Sequence, residues 1–459
     1  MKKISLCLSI ILCFVGLFLF LYTLYKFDFK FNLLNSDHRT KYYFIGIALF
    51  IFGIAVLFIE PEYNKNFAIV LISVFIAFYF CEATLYFLDS KKAAIPKTVL
   101  EQNPDYDQRS RFEVFSDEVK KHGKGNVSSP PVPAILASEN NSELLILGGH
   151  SNIRTVFCNE LGFYIIYKSD RYGFRNPDQE WNENKNVEYL IVGDSLAHGM
   201  CVNENDTISG WLRNNNKNRN AVINLGMWAD GPLLMYAKLR EYLAISKAKN
   251  VLWLHSEGND FTDLNHEKKS SILNKYLKDK KFSQNLANKQ NKIDEIVVDL
   301  IENNKVKGQD NSFYKKNFKN NIMLFLKLTR LRTLTIDKPQ VQMQPLIENM
   351  QLFKEIIISA KNLTEENNAK FFFVDLPDLF ARKYSGQKNL LFNEKKIATQ
   401  MTKEFLQLNK IPYIDIYGLV FEKHDDPMSL FPFRGYGHFN PDGYKNSAKA
   451  IKNFIENKK

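Results

Sequence analysis

Four short clusters of small and polar residues contain the side chains with which this chain could do chemistry. Ser195, Gly226, Asn259 and His438 each stand in one of them. A serine hydroxyl needs a base to become a nucleophile at neutral pH, and His438 can serve as that base. A tetrahedral intermediate needs donors directed at its oxyanion, which the N–H groups of Ser195 and Gly226 and the Asn259 side chain can supply. Together the clusters predict acyl transfer through an ester of Ser195.

The segments in front of these clusters determine whether they can meet. Apolar runs rich in β-branched and aromatic residues alternate with helical patterns, and three clusters directly follow such a run. This alternation predicts an α/β fold with three α/β/α layers around a mostly parallel sheet of about five strands. Ligands gather at the carboxyl ends of such strands. The predicted strands are Val187–Val192, Ala221–Leu225, Val251–Leu254, Phe371–Leu376 and Pro412–Ile416, and two of the helices are Leu233–Ala244 and Glu394–Leu408.

One stretch, about 265–362, interrupts the alternation between the third and fourth strands. It has helical patterns but no strand of comparable strength, so we predict a helical insertion or cap within a domain that covers 186–459. Between Asn265 and Lys338 the chain has 17 Lys and Arg against 8 Asp and Glu, which accounts for most of its formal charge of +11. We favour a solvated helical surface; contact with anionic lipid or an acidic polymer is the alternative.

The N-terminal region, 1–88, differs sharply from the rest in composition. Its apolar runs Ile4–Tyr25, Tyr42–Ile59 and Phe67–Leu88 each approach or exceed the ~18 apolar residues of a membrane-spanning helix. We therefore predict three N-terminal transmembrane helices. A cleaved signal peptide is the alternative for the first run, but no small-residue cleavage pattern follows it. Glu82 lies inside the third run, either near enough to its end to reach the interface or in a functional role.

Residues 89–185 join the two regions and show weak periodicity. The proline-rich sequence 128–133 cannot continue a helix, so we interpret 89–185 as a linker and extended wrap. Outside the apolar runs the only cysteines are Cys158 and Cys201, and one possible pair does not decide the redox compartment. The histidines show no metal-ligand spacing, and we expect neither a metal nor another cofactor.

Taken together, the four clusters resemble those of the SGNH/GDSL hydrolase superfamily, in which four blocks supply Ser, Gly, Asn and His in this chain order. The segment Asp170–Asn176 is similar to the lead-in of many bacterial members. The resemblance covers roughly Asp170–Phe454, apart from the insertion. It implies the same α/β fold that the strand pattern predicts.

One departure from the family concerns the residue that orients the histidine. The family usually has an Asp two or three residues before it, where this chain has Tyr436 and Gly435. Asp425 or Asp426 could fold back to replace this acid, which is the interpretation we favour. The alternative is a Ser–His dyad in which a main-chain carbonyl holds the ring of His438. A triad without its carboxylate can lose orders of magnitude in rate, so weak or absent catalysis stays open.

The resemblance implies a membrane-anchored serine esterase or O-acyltransferase, which passes an acyl group from an ester to water or to a sugar hydroxyl. The expected substrate is an acylated cell-envelope carbohydrate, and no nucleic-acid partner is expected. The alternative is a catalytically weak polysaccharide-binding or assembly protein with the same fold. Family analogy places the catalytic domain on the periplasmic or extracytoplasmic side of the inner (cytoplasmic) membrane, although the Lys and Arg counts of the loops favour the opposite orientation.

Overall fold

The computed structural model describes residues 2–25, 37–92, 97–127, 144–216, 220–309, 322–323, 325–335, 344–379, 390–435 and 437–457. The proline-rich sequence 128–133 and Tyr436 lie outside the described residues. The chain forms two compact units, one of 1–96 with 311–340 and the other of 97–310 with 341–459. Residues 311–340, within the predicted insertion, belong to the first of these units. The predicted boundaries at 88, 185, about 265 and about 362 stay predictions.

The helices and strands are numbered in chain order. The helices are α1 (Lys2–Thr23), α2 (Asp37–Ala55), α3 (Pro61–Lys92), α4 (Lys97–Gln102), α5 (Arg111–His122), α6 (Ser195–His198), α7 (Ile208–Asn214), α8 (Pro232–Ser246), α9 (Asp260–Glu267), α10 (Ser271–Lys278), α11 (Gln290–Gln309), α12 (Thr329–Thr335), α13 (Gln344–Glu366), α14 (Leu390–Leu408) and α15 (Pro441–Glu456). The strands are β1 (Asn126–Val127), β2 (Arg154–Val156), β3 (Ile166–Lys168), β4 (Val187–Gly193), β5 (Ala221–Asn224), β6 (Asn250–Ser256), β7 (Lys370–Leu376) and β8 (Tyr413–Asp415).

The second unit is built on a five-stranded sheet in the order β5-β4-β6-β7-β8. All of its strand pairs are parallel, so the predicted α/β class and parallel sheet are confirmed. A smaller sheet, β1-β2-β3, pairs β1 with β2 in parallel and β2 with β3 antiparallel. The smaller sheet is formed by the region interpreted from the sequence as a linker and wrap.

The side chains of the central strands point alternately into two hydrophobic cores, one on each face of the sheet. In β6, Val251 and Trp253 lie in the first core, and Leu252 and Leu254 lie in the second. Helices α8, α10, α13 and α14 pack into the first core, and α7 and α15 pack into the second. This alternation is the two-residue period of a strand covered on both faces. It explains why β4 and β6 are apolar along their length and buried throughout.

The first unit contains α1, α2 and α3. Two of its segments, Arg39–Phe58 and Ile69–Tyr86, are long and apolar enough to cross a membrane. In α1 the apolar segment Ser9–Thr23 is shorter than a full span. The sequence-based prediction of three transmembrane helices is therefore not confirmed for α1.

Candidate active site

Ser195 lies at the first position of α6, separated from the end of strand β4 by one residue. The carboxylate of Asp194 accepts a hydrogen bond from Leu196 N at 2.9 Å and caps this single helical turn. Ser195 Oγ also lies 3.3 Å from Asp194 Oδ2. The strand brings the serine to the carboxyl edge of the sheet, and the turn presents its hydroxyl to a cavity.

His438 lies beside this hydroxyl, with Nε2 at 2.9 Å from Ser195 Oγ. Its other ring nitrogen, Nδ1, is 2.8 Å from Glu160 Oε1, and its backbone N–H donates to Glu160 Oε2 at 2.8 Å. A proton on Nδ1 that is held by the carboxylate leaves the lone pair of Nε2 free to accept the serine proton. Ser195, His438 and Glu160 therefore have the geometry of a catalytic triad.

The acid in this arrangement is Glu160, and not Asp425 or Asp426, which were the residues predicted for it. The carboxylate of Asp426 forms an ion pair with the guanidinium of Arg434, with Oδ1 at 2.8 Å from Nη2. Asp425 is exposed to solvent. Neither carboxylate of the segment before the histidine therefore contacts the ring of His438, since Asp426 pairs with Arg434 and Asp425 faces solvent. The main-chain carbonyl considered as the alternative is not used either, since Glu160 occupies Nδ1.

Glu160 comes from the loop that joins β2 to β3. Two backbone hydrogen bonds of 2.9 Å close this loop, from Phe157 N to Ile165 O and from Ile165 N to Cys158 O. The loop is also tied to the preceding chain, where Asp107 N donates to Gly162 O at 2.7 Å. The carboxylate is thus positioned by the small sheet rather than by the segment around the histidine.

A disulfide fixes this loop to the nucleophile's side of the site. Cys158 and Cys201 are bonded, with their Cα atoms 5.2 Å apart, which is within the usual range. Cys158 is two residues before Glu160, and Cys201 is six residues after Ser195. Glu160 could have been predicted from the two cysteines in the sequence, because a bond between Cys158 and Cys201 brings it close to the serine.

Gly437 makes the contact between the histidine and its acid possible. Its φ of +149° lies in the region that favours glycine. A Cβ at this position would lie 2.8 Å from Glu160 Oε2, the oxygen that accepts from His438 N. A side chain here would displace the carboxylate, so the glycine before the histidine is required by close approach.

The charges of the triad stabilise each other. Burial alone would lower the pKa of His438, but the hydrogen bond and negative charge of Glu160, with a further contribution from Asp194, raise it above its ordinary value. Burial alone would raise the pKa of Glu160, but the hydrogen bonds and charge of His438 lower it below its ordinary value. The arrangement favours an ionised carboxylate beside an imidazole that readily takes up a proton.

Two hydrogen-bond donors at the cavity can stabilise an oxyanion. Asn259 lines the cavity, and its Nδ2 donates one hydrogen bond to Asp263 Oδ2 at 2.7 Å. The amide has a second N–H, which remains for a ligand. The N–H of Ser195 begins α6, and the first N–H groups of a helix have no intrahelical acceptor.

Gly226 packs against Ala197, two residues after the nucleophile. A Cβ here would be 2.6 Å from the Cβ of Ala197, so the packing requires glycine. Its N–H donates to Asn224 Oδ1 at 2.9 Å, and Gly226 is not among the residues that line the cavity. The oxyanion role predicted for Gly226 stays a prediction.

The cavity has a volume of about 380 Å³, which is in the range of small-molecule sites. One part of its wall carries Ser195, His438, Glu160 and Asn259. Another part of the wall is apolar and suits an acyl group. Its side chains are those of Leu196, Pro377, Leu379, Phe431 and Phe439.

The other buried histidines have structural partners. His198 Nδ1 accepts from Trp228 N at 3.2 Å, and Nε2 lies 3.3 Å from the Tyr167 hydroxyl. His255 Nδ1 lies 2.6 Å from Asp260 Oδ2. In the part of the chain that the structure describes, no group of three His, Cys, Asp or Glu side chains could hold a metal ion.

No protein-family model matches this chain, and no curated protein matches it. The similar solved structures include GDSL proteins, the family that the motifs resemble. A protein of Desulfitobacterium hafniense, described as a lipolytic protein of the G-D-S-L family, has 11% identity and a TM-score of 0.33 over 59% of this chain and 99% of its own. A GDSL-like lipase of Bacteroides thetaiotaomicron has 10% identity and a TM-score of 0.31 over 62% of this chain and 92% of its own. Identity and TM-score at this level do not establish that this chain shares the activity of these proteins.

Proposed function

We propose that this chain is a membrane-anchored serine esterase or O-acyltransferase with Ser195 as nucleophile, His438 as general base and Glu160 as the acid that orients the histidine. The observation that carries the proposal is the continuous relay from Ser195 Oγ to His438 Nε2 at 2.9 Å and from His438 Nδ1 to Glu160 at 2.8 Å. A serine held in this way gives up its proton as it attacks a carbonyl carbon.

The first half of the reaction forms an acyl-enzyme. Ser195 Oγ bonds to the carbonyl carbon of an ester while its proton passes to His438 Nε2, and the carbonyl electron pair moves to the oxygen. Asn259 Nδ2 and the Ser195 N–H donate to this oxyanion. The intermediate then collapses, the bond to the alcohol breaks, and the leaving oxygen takes the proton from Nε2.

The second half reverses these steps with a different acceptor. A hydroxyl of water or of a sugar gives its proton to His438 Nε2 and attacks the acyl carbon, and Ser195 leaves with that proton. Water gives ester hydrolysis, and a sugar hydroxyl gives O-acyl transfer. We propose an acylated cell-envelope glycan as the substrate, with support from the apolar helices of 1–96 and the apolar part of the cavity wall.

We propose that the catalytic unit lies outside the cytoplasmic membrane, on its periplasmic or extracytoplasmic side. The disulfide between Cys158 and Cys201 supports this orientation, because disulfides persist in oxidising compartments and are rare in the cytosol. The Lys and Arg counts of the loops favour the opposite orientation. We give the disulfide more weight, since it fixes the loop on which the acid of the site depends.

The decisive experiment uses the full chain in detergent with p-nitrophenyl acetate as substrate. We expect turnover and labelling by a fluorophosphonate in the wild type, and neither in Ser195→Ala. Asp425→Asn is the matched control, because this exposed carboxylate should leave both signals unchanged. Labelling that persists in Ser195→Ala would place the nucleophile elsewhere. A wild type without turnover or labelling over a broad panel of esters would favour the binding or assembly protein instead.

A further inference from the structure

The segment 311–340 interrupts the catalytic unit in sequence but belongs to the unit that contains α1, α2 and α3. Its described residues are 322–323 and 325–335, and they include α12. The catalytic unit is therefore connected to the first unit through three points of the chain, near 96, 310 and 340. Such a segment requires an explanation, because an ordinary surface insertion would pack on the fold that it interrupts.

A buried carboxylate of α3 holds the beginning of α12. Glu82 is fully buried, and its two oxygens accept hydrogen bonds from Arg330 N at 3.1 Å and from Leu331 N at 2.8 Å. Arg330 Nη1 lies 3.6 Å from Glu82 Oε1. The first N–H groups of a helix lack intrahelical acceptors, and a negative charge is favourable there. Glu82 therefore caps α12, which gives a role to an acidic residue within an apolar span.

Aromatic side chains of the spans hold the rest of the segment. Tyr79 donates its hydroxyl proton to Leu326 O at 2.9 Å, and its ring is 5.4 Å from that of Phe325. The guanidinium of Arg330 lies 4.8 Å from the ring centre of Tyr86. These contacts span about two turns of α3, so the segment is bound along the helix and not at a single point.

The described residues of the segment include several exposed apolar side chains. Leu326 and Leu334 are each 56% exposed, and Ile322 and Met323 are also exposed. In the same unit α3 exposes a surface of the same character, including Phe75 and Phe80. The sequence 311–340 has seven Lys and Arg against one Asp, so much of the chain's excess charge belongs to it.

We infer that residues 322–323 and 325–335 belong to a second membrane-bound part of the anchor, which lies in the interface of a bilayer and binds anionic phospholipid. The inference rests on the proposed membrane anchoring of 1–96. Glu82 is four residues before Tyr86, where the apolar span ends, so α12 begins about 6 Å inside that end. Interfacial helices bury their apolar side chains to about this depth and place Lys and Arg at the headgroups.

The test uses the full chain, with Cys7, Cys13 and Cys81 replaced by serine and the disulfide retained. One cysteine at a time is introduced and labelled with the environment-sensitive dye NBD. Leu334→Cys reports on the segment and Phe75→Cys on the span. Leu408→Cys is the aqueous control, because Leu408 is 84% exposed in the catalytic unit. The labelled proteins are reconstituted in vesicles of phosphatidylethanolamine and phosphatidylglycerol that contain nitroxide lipids.

We expect nitroxide lipids to quench NBD at 75 and at 334, and aqueous iodide to quench it at 408 only. Lipid quenching at 75 together with iodide quenching at 334 would overturn the inference and leave the anchor intact. Iodide quenching at 75 would instead overturn the anchoring itself. In phosphatidylcholine vesicles we expect weaker lipid quenching at 334 and no change at 75; equal quenching at 334 in both vesicles would overturn the role of anionic lipid.

A second variant tests the role of Glu82. Glu82→Ala removes both acceptors from α12, so lipid quenching at 334 should fall while quenching at 75 stays the same. The reading at 75 shows that the spans remain inserted. Unchanged quenching at 334 in this variant would show that Glu82 does not hold the segment.

Discussion

Glu160 binds His438 through both of its oxygens, one at Nδ1 and the other at the backbone N–H, each at 2.8 Å. This double contact fixes the position of the histidine in the chain as well as the orientation of its ring. The acid therefore does more than select a tautomer. It joins the loop between β2 and β3 to the segment that precedes α15.

The first prediction concerns Glu160→Gln. The amide keeps the size of the side chain but removes the charge that favours the protonated imidazole, and its NH₂ can face Nδ1 and stabilise the wrong tautomer. We expect kcat for p-nitrophenyl acetate to fall by roughly 10²- to 10⁴-fold with a small change in KM. Because Glu160 raises the pKa of His438, the acid limb of the kcat–pH profile should move to lower pH in the variant.

Asp426→Asn is the control for this variant. Its carboxylate pairs with Arg434 at the surface, where ion pairs contribute little, so activity and pH profile should match the wild type. Full activity in Glu160→Gln together with a large loss in Asp426→Asn would restore the acid predicted from the sequence.

The parallel sheet and the position of Ser195 after a strand could be predicted from local sequence, and His438 from the chain order of the four clusters. Short continuous apolar runs rich in β-branched and aromatic residues indicate buried strands, and parallel strands have their carboxyl ends at one edge. Glu160 could not be found in this way. It reaches His438 from a loop 278 residues away, in a region whose strands are only two or three residues long. Such short strands leave no periodic pattern in the sequence. The disulfide brings Glu160 near the serine, but the sequence alone does not show that Cys158 and Cys201 are bonded.

The predicted helical insertion illustrates another feature that the sequence alone does not determine. Its helices could be predicted from their periodicity, but the unit on which each helix packs depends on partners elsewhere in the chain. Glu82 and Arg330 were each visible in the sequence, as an acid in a span and as one of many basic residues. Their contact explains both, because each supplies the other with a partner of opposite charge.

The second prediction concerns the oxyanion. Asn259→Ala removes a donor that acts mainly on the transition state, so kcat should fall by about 10²- to 10³-fold and KM should change little. Asp263→Asn keeps that donor but weakens the contact that orients it, and we expect a smaller loss of kcat. Steady-state kinetics on both variants checks the order. A larger loss in Asp263→Asn than in Asn259→Ala would contradict the assignment.

The third prediction concerns the contribution of the buried ion pair between Lys238 and Asp230 to protein stability. Lys238 is buried, donates to Leu225 O at 3.0 Å and forms an ion pair with the buried Asp230. Lys238→Met leaves an unpaired buried carboxylate, which should destabilise the protein by about 3–5 kcal/mol. Urea unfolding followed by the near-ultraviolet circular dichroism of the catalytic unit measures the change.

Lys445→Met is the matched control for this variant. Its partner Asp442 is 4.0 Å away and both side chains are largely exposed, so the urea midpoint should stay almost unchanged. Equal midpoints for the wild type and Lys238→Met would show that the buried pair contributes no net stability.

The last prediction concerns the disulfide. Its two cysteines are 43 residues apart, for which the chain-entropy model gives a stabilisation of about 4 kcal/mol. The bond also holds the loop of Glu160, so the double variant Cys158→Ser with Cys201→Ser should lose both thermal stability and kcat, while the Ser195 side chain remains in place. Dithiothreitol should have the same effects on the wild type and none on the double variant. The variant in which Cys7, Cys13 and Cys81 are serine keeps the bond and should respond to dithiothreitol like the wild type. If the double variant retains full kcat, the loop is held by its hydrogen bonds to the chain near Asp107, and the disulfide has no part in positioning the acid.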